Sequence, residues 1–330
     1  MTTPLESRRI VIAGASSLLG TELKSLLEES RFAACDFRLV DEEIAAGTLT
    51  EAGGEAAVIQ PVEDDSFDKA WVVFFAGSDS FTRTNLALAK RSGANIIDLS
   101  SELAGQPNVV AWLPKLSSVS PSGAKLFAIP SAPAEIIARL AIAVSSLKPS
   151  AVSAVAFQPV SAAGKPGIEE LESQTGQLLS FQSLGKQVFD TQVAYSMLDR
   201  FGRSSTHSLG AVLRSLRREV RAVLPANVNS PAIQLLHAPV FYGATVSACA
   251  FLDAGADPSN VAKLSTDAGF TLADNDSAPS NVTSAGEISI QLAPPSPDST
   301  ASGAFWFWAA ADNLRLPAAN GVKLAESFLG

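Results

Sequence analysis

The first third of the chain alternates short apolar runs with stretches of helical spacing. Arg9–Ala13 (RIVIA) is a brief, mostly apolar run that ends at a glycine. Behind it, Leu18, Leu19, Leu23, Leu26 and Leu27 recur near a 3.6-residue period, which predicts a helix over 18–29. Phe37–Asp41 (FRLVD), 56–62, Trp71–Phe75 (WVVFF), Asn95–Leu99 (NIIDL) and Lys125–Ile129 (KLFAI) read as further strands, and Phe81–Arg91 as a second helix. Strand, helix, strand at this spacing predicts parallel strands joined by crossovers: an α/β, doubly wound Rossmann-like sheet. Unbroken apolar strands such as WVVFF suit a sheet covered on both faces.

From about residue 131 the texture changes. Residues 131–146 and 168–184 read as helices, and 152–160 as a strand. Over 208–224, Leu209, Val212, Leu213, Leu216, Val220 and Val223 form one apolar stripe. Residues 240–252 predict a longer strand, 288–292 a shorter one, and 301–311 another with bulky aromatics. The stretch 272–302 is rich in Ser, Pro, Asp and Asn, the pattern of an exposed excursion around a strand. These segments predict a first domain over 1–130 and an α+β domain over 131–312. No internal repeat is visible.

Composition narrows the class. The chain has 330 residues, 47% of them apolar and 17% charged, enough for substantial cores. No apolar run reaches the roughly 18–20 residues of a membrane helix. Residues 1–10 lack the hydrophobic stretch of a secretory signal, so a cytoplasmic protein is expected. Two cysteines (Cys35, Cys249) and two histidines (His207, His237) make neither a disulfide framework nor a metal cluster. A net charge of −9 argues against a nucleic-acid partner.

The clearest candidate site is the turn Gly14-Ala15-Ser16-Ser17-Leu18-Leu19-Gly20 between the first strand and first helix. Backbone N–H groups and the positive end of a helix dipole meet the phosphates of a dinucleotide at such a turn. Gly14 suits the tight turn and Gly20 close helix–sheet packing. Ser17 stands where the middle glycine would let backbone approach phosphate. A Rossmann-like turn that holds no nucleotide fits the same residues.

Further segments, in order along the chain, resemble the aspartate-semialdehyde dehydrogenase family. They are Phe75-Ala76-Gly77-Ser78, Ile97-Asp98-Leu99-Ser100-Ser101, the run from Gln158 through Gly164-Lys165-Pro166-Gly167 to Leu171, Ala238-Pro239-Val240-Phe241-Tyr242-Gly243, and Asp312-Asn313-Leu314-Arg315. The resemblance spans nearly the whole chain. It implies an NAD(P)-binding Rossmann domain, a catalytic and dimerisation domain, a homodimer, a place in amino-acid biosynthesis, and a final helix over 313–330 that returns to the first domain. Its cofactor-site positions fall on Gly14, Ser16, Ser17, Leu18, Gly20, Asp41, Gly77 and Asn320.

The family reaction needs a thiolate that attacks the aldehyde and a histidine that takes up the proton. Hydride then passes to the nicotinamide, and phosphate cleaves the thioester. The resemblance puts the nucleophile at Ala132, after Pro130-Ser131, and the base at Ala244, after Gly243. The substrate arginine falls on His237 and the phosphate-clamping arginine on Ala104. An acidic and a lysine ligand fall on Val212 and Ser215. Gln158 is kept, and Arg315 and Asn320 match near the end. A coupled nucleophile and base lose nearly everything when one is removed.

The expected reading is therefore a family member without the dehydrogenase activity, serving a binding or regulatory role. Its partners would be a second copy or an active paralogue. Two alternatives remain: an active NAD(P)-dependent dehydrogenase with a rearranged site, and a hydrolase using Ser131 with a histidine base. Ser131 also suits a helix cap. Asp41, Glu42 and Glu43 follow the second strand and would repel a 2′-phosphate, so the expected cofactor is none, or weakly bound NAD in preference to NADP, with Asp41 on the ribose. Arg214, Arg217, Arg218 and Arg221 form a basic helix face, either solvated or an anion patch.

Overall fold

The computed structural model describes residues 7–45, 47–52, 55–116, 125–253, 255–274 and 276–329. The chain divides into two compact units, one formed by Met1–Ser131 with Pro317–Gly330, the other by Ala132–Leu316.

The first unit is built on β1 (Arg9–Ala13), α1 (Leu18–Glu28), β2 (Asp36–Asp41), β3 (Leu49–Ala52), β4 (Glu55–Val58), β5 (Gln60–Pro61), β6 (Ala70–Phe75), α2 (Asp79–Arg91), β7 (Asn95–Asp98), β8 (Val110–Ala111) and β9 (Leu126–Ala128). Seven of these strands make one sheet in the order β5-β2-β1-β6-β7-β9-β8, and every pair in it is parallel. Alternate residues feed two cores. Ile10, Ile12, Val72 and Phe74 point to one side, and Val11, Ala13, Val73 and Phe75 to the other. Both faces are thus covered, which is why these strands have no polar alternation. Ser17 and Ser78 cap α1 and α2, each accepting a backbone N–H three residues on.

The single strand expected over 56–62 is not formed. β3 and β4 pair antiparallel as a separate ribbon, and β5 alone joins the main sheet beside β2. The sequence between β3 and β4 is Gly53-Gly54, a pair suited to tight reversal. Pro61 lacks an N–H to donate, so its short strand sits at the sheet edge.

The second unit contains α3 (Ala132–Ser145), β10 (Ala151–Gln158), α4 (Gly164–Leu179), α5 (Leu209–Val223), β11 (Ala232–His237), β12 (Ala244–Phe251), α6 (Pro258–Asp267), β13 (Phe270–Leu272), β14 (Ile290–Leu292), β15 (Ser296–Pro297) and β16 (Ala304–Ala311). Its mixed sheet runs β11-β10-β12-β16-β14-β13, with β15 beside β16. β10 and β11 are parallel, whereas β10–β12 and β12–β16 are antiparallel. Ala154, Ala156, Leu235, Val246, Ala248 and Phe307 pack with α3 and α5 in one core. The long strand starts at Ala244, later than the expected 240, because Gly243 takes a left-handed φ of 92° just before it. The helix expected over 168–184 spans Gly164–Leu179. On α5, Leu209, Leu216 and Val220 are buried, but Val212 from the same expected stripe is exposed.

The last helix, α7 (Arg315–Ser327), supplies Ala318, Val322, Leu324 and Ala325 to the core on one face of the parallel sheet. Just beyond it, Phe328 packs against Phe127 and Trp71.

Candidate functional site

In the first unit the glycine turn is as tight as its sequence implies. Gly14 has φ 89°, and a β-carbon there would lie 2.2 Å from the Gly77 nitrogen. A β-carbon on Gly20 would lie 2.3 Å from the Gly14 carbonyl oxygen. Gly14, Gly20 and Gly77 therefore fix the approach of the β1 turn, the first turn of α1 and the end of β6. Ser17 Oγ accepts the Gly20 N–H at 2.8 Å and donates to the Ala76 carbonyl at 2.7 Å. Asp41, buried at the end of β2, accepts the Ser16 N–H at 2.7 Å and the Glu42 N–H at 2.8 Å. Its carboxylate, expected to face a ribose, is thus bonded to the turn itself. Beside it lies a cleft of about 490 Å³ between β2, β5 and α2, lined by Asp41, Glu42, Glu43, Glu63, Phe81 and Asn85 among others. Asn320, on α7, is buried.

At the end of β7, Asp98 accepts the N–H and O–H of Ser100 and the N–H of Leu103. Burial pushes its carboxyl above the usual carboxylate range, against the pull of those bonds. This carboxyl shapes the Ser100-Ser101 turn, with Ser101 in the left-handed region. Ala104, where the resemblance places a phosphate clamp, is buried in the apolar core.

In the second unit, strand register brings Gln158, His237 and Ala244 into one row. Gln158 on β10 pairs with His237 on β11. Ala244 follows in register from the Phe157–Thr245 pair on the other side, and Ala311 pairs with Ala244. The row Ala311, Ala244, Gln158, His237 therefore crosses four strands on the helix-covered face. Ala132 opens α3 and belongs to the same core as Ala244; the two are 0% and 1% exposed. Cys249 alternates to the opposite face of β12 from Ala244, Val246 and Ala248, and burial raises its thiol pKa. Cys35 lies in the first unit's core, its pKa also raised by burial.

His237 is fully buried. Its Nε2 meets the Val193 carbonyl at 3.4 Å, and its ring packs against Phe189 and Phe201, which also touch each other. Its backbone exchanges two hydrogen bonds with Leu198. Burial lowers the ring's pKa, so it is held neutral, with Nε2–H facing Val193. Gln158 Oε1 and His237 Nδ1 are buried without a hydrogen-bond partner among the described residues. His207 joins the same aromatic cluster through Phe189, and burial lowers its pKa too.

The roles of several supporting residues are not visible in the sequence read alone. On α4, Glu170 accepts the Val188 and Phe189 N–H groups, and Gln174 accepts those of Val193 and Ala194 while donating to Gly185 and Thr191. Together they hold the irregular segment that cradles His237. Their i, i+4 spacing on a helix is the one clue available beforehand. Asn313 accepts the Gly243 N–H at 2.7 Å and donates to Ser161 Oγ at 3.1 Å, fixing the start of β12. On the basic face, Arg217 donates to the Ile233 carbonyl and Arg221 to that of Val228, so half of that face is structural.

The chain matches two family models, "Semialdehyde dehydrogenase, NAD binding domain" over residues 9–121 and "Semialdehyde dehydrogenase, dimerisation domain" over residues 140–316. It is 30% identical to a USG-1 protein homolog of Azotobacter vinelandii over 97% of both chains. It is 22% identical to an aspartate-semialdehyde dehydrogenase of Rickettsia bellii, again over 97% of each. Among solved structures, a probable aspartate-semialdehyde dehydrogenase from Pseudomonas aeruginosa superposes with a TM-score of 0.85 at 24% identity, covering 98% of both chains. Two matched domains in family order, on a parallel sheet followed by a mixed one, establish that the chain belongs to the semialdehyde dehydrogenase family.

Proposed function

We propose that this protein keeps the family architecture, has left acyl-transfer chemistry, and acts by binding as a cytoplasmic homodimer. The observation that carries this reading is the pair Ala132 and Ala244. Their methyl groups are packed into the core, and the family resemblance assigns to these two positions the thiolate and the proton acceptor of the reaction. No alanine forms a thioester. Cys249 points from the far face of its strand, and the core-bound thiol of Cys35 has a raised pKa, so neither supplies a replacement thiolate.

The rearranged dehydrogenase is the less favoured reading, because His237 beside Gln158 offers an acceptor nitrogen without a thiol on its face. The hydrolase reading asks Ser131 to find a base, while the His237 ring is already committed to Val193, Phe189 and Phe201. Of the dinucleotides, NAD suits the first domain better than NADP, since Asp41, Glu42 and Glu43 set like charge against a 2′-phosphate. The open face of the mixed sheet supports self-association, and the same face would serve an active paralogue.

The test is an assay of purified protein with aspartate semialdehyde, phosphate and NADP or NAD. No cofactor reduction is expected. A robust rate with either cofactor overturns the reading.

A further inference from the structure

We propose that the Rossmann turn of the first domain carries its own anion. In this reading the Asp41 carboxylate and the Ser17 hydroxyl occupy the amides a pyrophosphate would use, and they shut dinucleotides out. The inference goes beyond the preference for NAD argued above, and it rests on the family's assignment of this domain to cofactor binding, not on the state of the acyl site.

Five of the seven backbone N–H groups from Gly14 to Gly20 are engaged within the protein. Gly14 and Ala15 donate to the Val40 carbonyl, and Ser17 donates to Gly14. Those three bonds build the turn. The other two end on side chains: Ser16 N–H on Asp41 Oδ2 at 2.7 Å, and Gly20 N–H on Ser17 Oγ at 2.8 Å. A phosphate at a helix N-terminus is held by such amides. Here one of them already faces a negative charge. The Ser17 hydroxyl is pinned at both ends, because its proton goes to the Ala76 carbonyl at 2.7 Å. Turning it away breaks two hydrogen bonds. An approaching phosphate would also meet the cleft carboxylates of Glu42, Glu43 and Glu63.

Calorimetric titration of the full chain with inorganic pyrophosphate, NAD and adenosine tests this. The wild type is expected to show no saturable binding of pyrophosphate or NAD into the millimolar range. The double variant Ser17→Gly, Asp41→Ala frees both amides and should bind both ligands at least roughly tenfold more tightly, with no comparable gain for adenosine. Thermal melting confirms that the variant is folded. If it is not, Ser17→Gly alone, which removes only a hydroxymethyl group, carries the test with a smaller gain. Micromolar NAD binding by the wild type overturns the inference and leaves the dead acyl site untouched. So does a folded variant with no gain. A matching gain for adenosine would place the change in the cleft and overturn it as well.

Discussion

A single hydrogen on Gly14 decides whether the first turn closes. An alanine there would meet the Gly77 backbone well inside van der Waals contact and would sit at a φ that L-residues disfavour. The backbone has little room to give way, since Gly14 directly follows β1, Gly77 lies two residues beyond β6, and these two strands are paired in the parallel sheet. Gly14→Ala is expected to lower unfolding free energy by about 2–4 kcal/mol, read from urea denaturation. A loss of only about a few tenths of a kcal/mol would mean the two strand ends are not held together as described. This glycine was legible in the sequence because its signal is local: a strand, a turn and a helix within twelve residues. The Asp41–Ser16 bond was not, because its partners lie 25 residues apart and either looks ordinary alone. Asn313 stood in a recognisable segment, but its role escaped for the same reason: it joins Gly243 and Ser161 from a distant part of the chain.

At the scale of elements, β11 shows how one side chain can fix a segment that has no regular structure of its own. His237 closes this strand, and its backbone pairs with Leu198 while its ring takes Val193, Phe189 and Phe201. The folded chain holds the ring neutral, whereas the unfolded chain takes up a proton near pH 6.5. Protonation therefore favours unfolding. This contribution to stability is expected to be steady above about pH 6.5 and to fall as pH drops from there toward the lower folded value. His207 adds in the same direction. Urea midpoints across this window, for the wild type and His237→Gln, measure the effect; the wild type should fall more steeply. Parallel curves would remove His237 as the cause. Elements of this kind were the least legible. β8, β13 and β15 are two or three residues long, too short for any alternation to show. The β3–β4 ribbon and α6 did leave signs, a Gly-Gly pair and an Asp-Pro start, but each was outweighed by the apolar runs beside it. β1 and β6 were legible because burial on both faces leaves unbroken apolar runs from Ile10 to Ala13 and from Trp71 to Phe75.

For the molecule as a whole, the mixed sheet has one face under helices and one face open. On the open face Trp306 is 48% exposed, Phe251 42% and Trp308 37%, and the Phe157 ring packs at a tilt against Trp308, centroids 6.0 Å apart. Large aromatics on a flat sheet are costly to leave wetted, and they are the residues most enriched at association surfaces. Ser247 lies among them, level with Val155 on one neighbouring strand and Trp308 on the other. A lysine at that position can send its ammonium group into water in a lone chain, so the fold survives. In a face-to-face dimer the same charge would be buried without a partner, at a penalty of several kcal/mol per copy. Light scattering after size exclusion should therefore give twice 34.3 kDa for the wild type and 34.3 kDa for Ser247→Lys. Val212→Lys, on the exposed side of α5, should leave the dimer intact. A monomeric wild type would remove the self-association from the proposed function. A Ser247→Lys chain that stays dimeric would move the contact to another surface, because no sheet packed through Trp306 and Trp308 can hold an unpaired ammonium between them.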